Sequence, residues 1–479
     1  MTEGLILVDG DWVASKGGRT EEVRSPYDGR VVGQVAVADV DDVETALAAA
    51  ERGAAVWRET PAHARLDVLM RAAALVEERA DAIATLLSAE NGKTITEARG
   101  EVGRASDMIR LAGYEGTQLY GDTLPLDANR GTGQDKIGFT LRQPCGVVVA
   151  ITPFNYPSLL VLHKVAPALA AGNAVVLKPA RTTPLTALAL ARAFTDAGLP
   201  AGVLNVLTGP GGALGDALVS DPRVRKVSFT GSTAVGEHIA RTAGVKKLSL
   251  ELGASCPVVV LPDADIEAAA DAIAAGGYIN AGQVCISVQR VITHPDVHGD
   301  LLDALVPKVR AIAMGDPSSP DTRLGALISE AEARRVEVAL QAAVDSGARL
   351  LTGGERDGAV LTPAVVDGVD LDAPLNQDEL FGPAVAVTTA DDWQSAIAYA
   401  NSTAYGLGAG VFTRDVSGAI RAIRQIDAGV IHINWTPLWR ADLMPYGGLK
   451  ASGIGKEGFR TAVSEMTEEK TVILHGRPW

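Results

Sequence analysis

The chain has 479 residues, room for about three domains at roughly 150 residues each, or for two large ones. Its 47% hydrophobic and 21% charged residues are the balance of a soluble globular protein. Acids outnumber bases, 58 to 43, and the formal net charge of −15 argues against non-specific binding to nucleic acid or an anionic membrane. No apolar run is long enough to predict a membrane span. The start, MTEGLILVDGDW, lacks the basic region of a signal peptide.

In chain order, apolar residues recur at helical spacing in Val43–Trp57, Ala64–Leu87 and Ile95–Leu119. Residues 120–145 turn polar and Gly-rich, consistent with a hairpin leaving the main body. From 146, valine-rich runs alternate with helical stretches. GVVVAITP precedes Ser158–Ala171, AVVLKPA precedes Pro184–Ala197, GVLNVLTG precedes Gly212–Val219, RKVSFTG precedes Thr233–Ala243, and KKLSLELGA follows. This predicts an α/β fold with a parallel, doubly wound sheet, whose ligands bind at the carboxyl ends of the strands. A second alternating region begins near 257. PVVVL, VQRVITH, PAVVDGV, GPAVAVTTA, GLGAGVFT and GVIHINW are its expected strands, with helices at Ile266–Ala275, Glu330–Ser346 and Val416–Ile426. EEKTVILHG is a lone terminal strand that must pair outside its nearest unit.

Cys145, Cys256 and Cys285 are too few and too scattered for a disulfide framework or a metal knuckle. His294 and His298 flank Pro-Asp-Val and read as two loop histidines, so no metal is expected. These features point to a reduced, cytoplasmic compartment. Two Gly-rich turns follow strands and open helices: Gly209-Pro-Gly211-Gly212-Ala-Leu-Gly215 and Phe229-Thr-Gly231-Ser232-Thr-Ala-Val235-Gly236. Backbone N–H groups at such helix starts suit a phosphate, although a glycine after a strand is usually only a turn residue. Asn91-Gly92-Lys93-Thr94 lacks the earlier P-loop glycine and reads as a plain helix end. Cys285 lies in a small-residue loop where a thiol is reachable, yet a lone cysteine is more often a buried filler. Glu251 is a carboxylate inside an apolar run, costly there unless used or hydrogen-bonded, and burial would raise its pKa toward that of a general base.

At this point the residues resemble a family. Phe154-Asn155-Tyr156-Pro157, Lys178-Pro179-Ala180, FTGSTAVG, LELG, GQVC, Glu379-Leu380-Phe381-Gly382-Pro383 and PYGGLKASGIG occur in the order of the NAD(P)-dependent aldehyde dehydrogenases, across nearly the whole chain. The resemblance implies that Cys285 is the nucleophile, adding to the aldehyde carbon to give a thiohemiacetal. Asn155 and the Cys285 backbone N–H would hold the oxyanion. Hydride leaves to the nicotinamide, and Glu251 activates the water that hydrolyses the resulting thioester. Lys178 and Glu379 match groups holding the cofactor riboses, and Phe381 matches a residue packed near the nicotinamide ribose. Ser232 and Gly231 match pyrophosphate contacts. Thr152, Pro153, Phe154, Ala180, Gly211, Gly215, Phe229, Val235 and Leu252 complete the implied cofactor site, with Glu251 at its edge. The implied layout is a Rossmann-like cofactor domain (1–119 and 142–249), an α/β catalytic domain (250–464) and a small β oligomerisation element (120–141 and 465–479) of a homodimer or homotetramer.

Two departures matter. Ala254-Ser255 stands where many members have Gly-Lys, with little bearing on catalysis. Arg181 replaces the acid that many NAD-preferring members carry after Lys-Pro-Ala. It would suit a 2′-phosphate and slightly favour NADP over NAD, or it is simply solvated. Counting from neighbouring motifs puts Arg104 on a helix lining the family's substrate tunnel and Arg440 on the loop facing it. Two arginines there, with Asn155, imply a small anionic aldehyde bearing carboxylate, phosphate, phosphonate or sulfonate. The alternative is local pairing with acids such as Glu101 and Asp442. Arg290, in the strand after the nucleophile, reads as structural. The competing functions are a CoA-acylating dehydrogenase, against which Glu251 argues, a neutral-aldehyde dehydrogenase, a cysteine-dependent esterase, which would leave Lys178 and Glu379 idle, and a non-enzymatic relative.

Overall fold

A computed structural model describes residues 4–476, an α/β fold built on two large sheets. The first has eight strands in the order Asp11–Val13, Ile6–Val8, Leu204–Val206, Ala174–Lys178, Val147–Ile151, Val224–Thr230, Lys247–Glu251, Gly453–Ile454. The inner five are the valine-rich runs read from the sequence, and all pair in parallel. They lie largely buried, which is why most of them read as apolar runs rather than strict alternation. Among the parallel strands the first in sequence is the central one, Val147–Ile151; the next two build outward on one side, and the chain then returns to build the other side. Ligands of such sheets sit where that direction reverses, here where Val147–Ile151 and Val224–Thr230 end.

The outer strands were not anticipated. Ile6–Val8 pairs antiparallel with Leu204–Val206, and Gly453–Ile454 with Lys247–Glu251. Phe459 and Val463, expected with the second unit, and Met466, expected with the terminal arm, also enter the core of the first unit.

The second sheet runs Arg349–Thr352, Ala364–Asp367, Ala384–Thr389, Val288–Thr293, Cys256–Val260, Gly408–Phe412, Val430–Ile433. All its pairings are parallel except that of Arg349–Thr352. Thr467–His475 pairs along its whole length with Lys136–Pro144, the distant partner a lone strand needs.

The helical reading of Ala64–Leu87 needs correction. It is two helices, Ala62–Glu78 and Ala80–Asn91, meeting at Arg79, whose guanidinium reaches Asp196 at 2.8 Å. The loop reading of the two histidines is also wrong. His294 caps the helix Pro295–Arg310 by accepting the Asp296 N–H, and His298 lies within that helix, its Nε2 3.0 Å from Asp367. Among the described residues no group of three potential metal ligands converges, and no helix is long and apolar enough to cross a membrane.

Candidate active site

Cys285 follows a short 3-10 turn, Ile279–Gly282, in which Asn280, Ala281 and Gly282 all have positive φ. Strain of that kind persists only where surroundings over-determine it. Here the Asn280 N–H donates to Glu97 Oε1 at 2.7 Å, and Gln283 Oε1 accepts the Ile328 N–H at 2.9 Å. A Cβ on Gly282 would fall 2.0 Å from the Gly382 carbonyl oxygen, so only glycine fits. The loop holds Cys285 half-buried with Sγ 3.2 Å from the Tyr446 hydroxyl. Burial pushes the thiol up to about 12, so it rests protonated.

Glu251 ends its strand, buried, and neither carboxylate oxygen has a partner. Burial first, and the nearby charge of Glu457 second, hold its pKa well above the usual carboxylate range. Gly447 leaves room for it: a Cβ there would lie 2.7 Å from Glu251 Oε1. Asn155 sits in the loop after the central strand, its Nδ2 donating to the Gln283 carbonyl at 2.8 Å. An amide has two such hydrogens, leaving one for a developing oxyanion.

The Asn155 carbonyl accepts Lys93 Nζ at 2.7 Å and Asn280 Nδ2 at 3.0 Å. Lys93 is buried and pairs with Glu101 Oε2 at 2.7 Å, while Glu101 Oε1 accepts the Ser158 and Leu159 N–H groups. Gly92 does end a helix, with φ of 87°, but Lys93 beside it is a buried brace for Asn155, which the reading as a plain helix end missed.

Cys285, Asn155 and Thr230 border two cavities at once. The first also contains Glu251, Arg104 and Arg440. The second contains Pro153, Phe154, Gly231, Ser232, Leu252, Glu379 and Phe381, seven of the residues expected to hold cofactor. Phe154 and Phe381 meet edge to face at 5.8 Å, and the Phe229 ring packs directly beneath Gly231. Glu379 Oε1 accepts the Ala254 N–H at 3.0 Å, and burial raises the Glu379 pKa to about 7. Ser232 begins the helix Thr233–Thr242 without a side-chain cap, and Val235 is exposed in its first turn. The rest of the expected set lies along the same sheet edge, outside this lining. Thr152 donates its N–H to the Lys178 carbonyl. Lys178 is buried, which lowers its pKa to about 8, and its Nζ donates to the Pro179 carbonyl. Ala180 follows. Gly211 and Gly215 open the helix Gly212–Ser220, with nothing within 4 Å of where a Cβ would be.

Three arginines are more engaged than the sequence suggested. Arg181 is ion-paired with Glu21, Nη2 to Oε2 at 2.8 Å, rather than simply solvated. Arg104 pairs with Asp442, but Glu101 is taken by Lys93. Arg440 pairs with Glu457 at 3.2 Å, and its guanidinium lies 3.8 Å over the Tyr446 ring. Arg440 Nε remains buried with no acceptor. Arg290 is structural as expected, donating to the carbonyls of Ser255, Tyr399 and Ala400.

Sequence reasoning missed Tyr446, His163, Lys164 and Glu457. Lys164 Nζ is 2.9 Å from Glu457 Oε1, and His163 stacks on Phe459. The signal for His163 and Lys164 was two polar residues inside an otherwise apolar helix, Leu159–Ala170.

A reachable thiol, an unpartnered buried carboxylate and a loop amide at the junction of two cavities define a thiol-dependent site with room for a second large ligand. The model of the aldehyde dehydrogenase family matches residues 12–472. A 3-sulfolactaldehyde dehydrogenase of Priestia megaterium is 42% identical over 470 residues, 98% of each chain. The NADP-dependent succinate-semialdehyde dehydrogenase of Escherichia coli is 37% identical over 473 residues, 98% of this chain and 97% of that one. The crystal structure of an NADP-dependent glyceraldehyde-3-phosphate dehydrogenase from Bacillus halodurans, complexed with NADP, superposes with a TM-score of 0.97 at 35% identity, covering 99% of this chain and 100% of that one. The chain belongs to the aldehyde dehydrogenase family and is an NAD(P)-dependent oxidoreductase.

Proposed function

We propose that the chain oxidises a short anionic aldehyde to the free carboxylic acid, with NAD or NADP as the hydride acceptor. The observation that carries the anionic reading is Arg440 Nε, a buried donor without an acceptor on the cavity that holds Cys285. Such a donor is costly unless a ligand completes it. Three cations, Arg104, Arg440 and Lys164, face two carboxylates, Asp442 and Glu457. Among these five groups one positive charge is left for the substrate. The names of the relatives, acting on sulfolactaldehyde and succinate semialdehyde, support the same class.

The second cavity suits the cofactor. Glu379 is a buried acceptor for ribose hydroxyls, and the start of the helix Thr233–Thr242, which has no side-chain cap, offers N–H groups to phosphate. When bound, the nicotinamide accepts the hydride. Cys285 Sγ gives its proton to solvent water and adds to the carbonyl carbon, and Asn155 Nδ2 with the Cys285 N–H stabilises the oxyanion. After oxidation the carbon is held as a thioester. Glu251 takes a proton from water, whose oxygen attacks that carbon and releases Cys285 and the acid. An unpartnered base at this place favours hydrolysis over transfer to coenzyme A.

The implied division is part of this reading: cofactor domain 1–119 and 142–249, catalytic domain 250–464, and an oligomerisation arm from 120–141 and 465–479, of which residues 477–479 lie outside those described. Ile137, Leu141, Ile473 and Leu474 are exposed on that arm and suit burial in a homodimer or homotetramer. A cytoplasmic setting suits a nucleophile that must stay reduced. Following reduced-cofactor absorbance across anionic and neutral aldehydes, with and without coenzyme A, tests the proposal. Faster turnover of neutral aldehydes, or dependence on coenzyme A, would overturn it.

A further inference from the structure

The strand Thr20–Arg24 turns successive side chains to opposite sides. Glu22 pairs outward with Arg24. Glu21 turns inward, its side chain only 20% exposed, and accepts Arg181 Nε at 3.1 and 3.0 Å on its two oxygens. The hairpin carrying it is fastened to the first sheet. The Ala38 N–H donates to the Thr208 carbonyl, and the Thr208 hydroxyl donates to the Ala36 carbonyl. Thr208 follows Leu204–Val206, the strand beside Ala174–Lys178. Glu21 therefore stands at the carboxyl edge of the sheet, where its charge bears on the buried Lys178 as well as on Arg181.

Resting on the reading that Lys178 and Arg181 flank the adenosine ribose of the cofactor, we propose that Glu21 determines cofactor specificity. It engages the guanidinium that a 2′-phosphate would use and sets a carboxylate against that phosphate, whereas a 2′-hydroxyl can donate to it. The acid comes from the N-terminal hairpin and not from the segment Lys178-Pro179-Ala180 itself. The two partners differ in constraint. Arg181 is 62% exposed, and an exposed pair is worth up to about fivefold in an equilibrium, so it can turn to a phosphate. The Glu21 backbone is held opposite Val35 in the hairpin and its side chain is mostly buried, so its charge stays near the site when Arg181 turns away.

The test compares kcat/KM for NAD and NADP in wild type, Glu21→Gln, Glu21→Ala, Arg181→Ala and Lys178→Ala, with one saturating aldehyde. Both Glu21 variants should raise the NADP-to-NAD ratio about fivefold or more, because a fixed like charge is removed, and Arg181→Ala should lower it. A smaller rise or a fall in both Glu21 variants, while Lys178→Ala weakens both cofactors, overturns the proposal and leaves the ribose reading standing. Lys178→Ala with unchanged KM for both cofactors overturns the ribose reading and the proposal with it.

Discussion

Glu251 is buried with both oxygens unpartnered, so it stays protonated to a higher pH than an exposed glutamate. Water activation needs its ionised form. Hydrolysis of the thioester should therefore fall as pH drops through this raised pKa, well above the ordinary carboxylate range. Glu251→Gln should give a full first-turnover burst of reduced cofactor, then slow steady turnover without that pH limb; an unchanged steady rate would remove Glu251 from the mechanism. Cys285→Ala should abolish turnover while cofactor still quenches protein fluorescence, and activity within about tenfold of wild type would refute its role as the nucleophile. Cys285 and Glu251 stood out because each breaks its local pattern, a thiol in a small-residue loop and an acid in an apolar strand; Asn155, and the roles given to all three, came from the family resemblance. The partners of the arginines were not legible. Asp442 lies 338 residues from Arg104 in sequence, and only the fold brings them together.

Elements with one uniform environment were the easiest to read. The buried parallel strands announce themselves as valine runs, and the helices between them as periodic stretches. The break at Arg79 has no glycine or proline to mark it, and the edge strands are too short to show a period. Lys93 shows the same limit: its place after a helix end was visible, its burial against Asn155 was not. Removing one member of a buried ion pair costs about 3–5 kcal/mol because the other charge is left unpaired. Lys93→Met should therefore lower the thermal midpoint and, by freeing the Asn155 carbonyl, lower kcat more than it raises KM for cofactor. The double variant Lys93→Met/Glu101→Gln should recover much of the stability but not kcat. Full kcat in either variant would show that Lys93 does not position Asn155.

At the scale of the molecule, the arm made by Thr467–His475 and Lys136–Pro144 stands apart from both large sheets. Ending the chain after Met466 would strip Lys136–Pro144 of its paired strand. Light scattering should then show a smaller assembly, and an unchanged mass would exclude this arm from the interface. The central claim concerns the two cavities that meet at Cys285, one for cofactor and one for an anion. Removing one partner of a desolvated charge pair costs about 2–5 kcal/mol, roughly 30-fold to a few thousand-fold in kcat/KM. The direct measurement is kcat/KM of wild type and Arg440→Ala for an anionic aldehyde and for a neutral one of equal length. The account predicts that wild type prefers the anion and that Arg440→Ala loses at least about 30-fold on it while sparing the neutral aldehyde. A wild-type preference for the neutral aldehyde, or an equal loss on both in the variant, would contradict it.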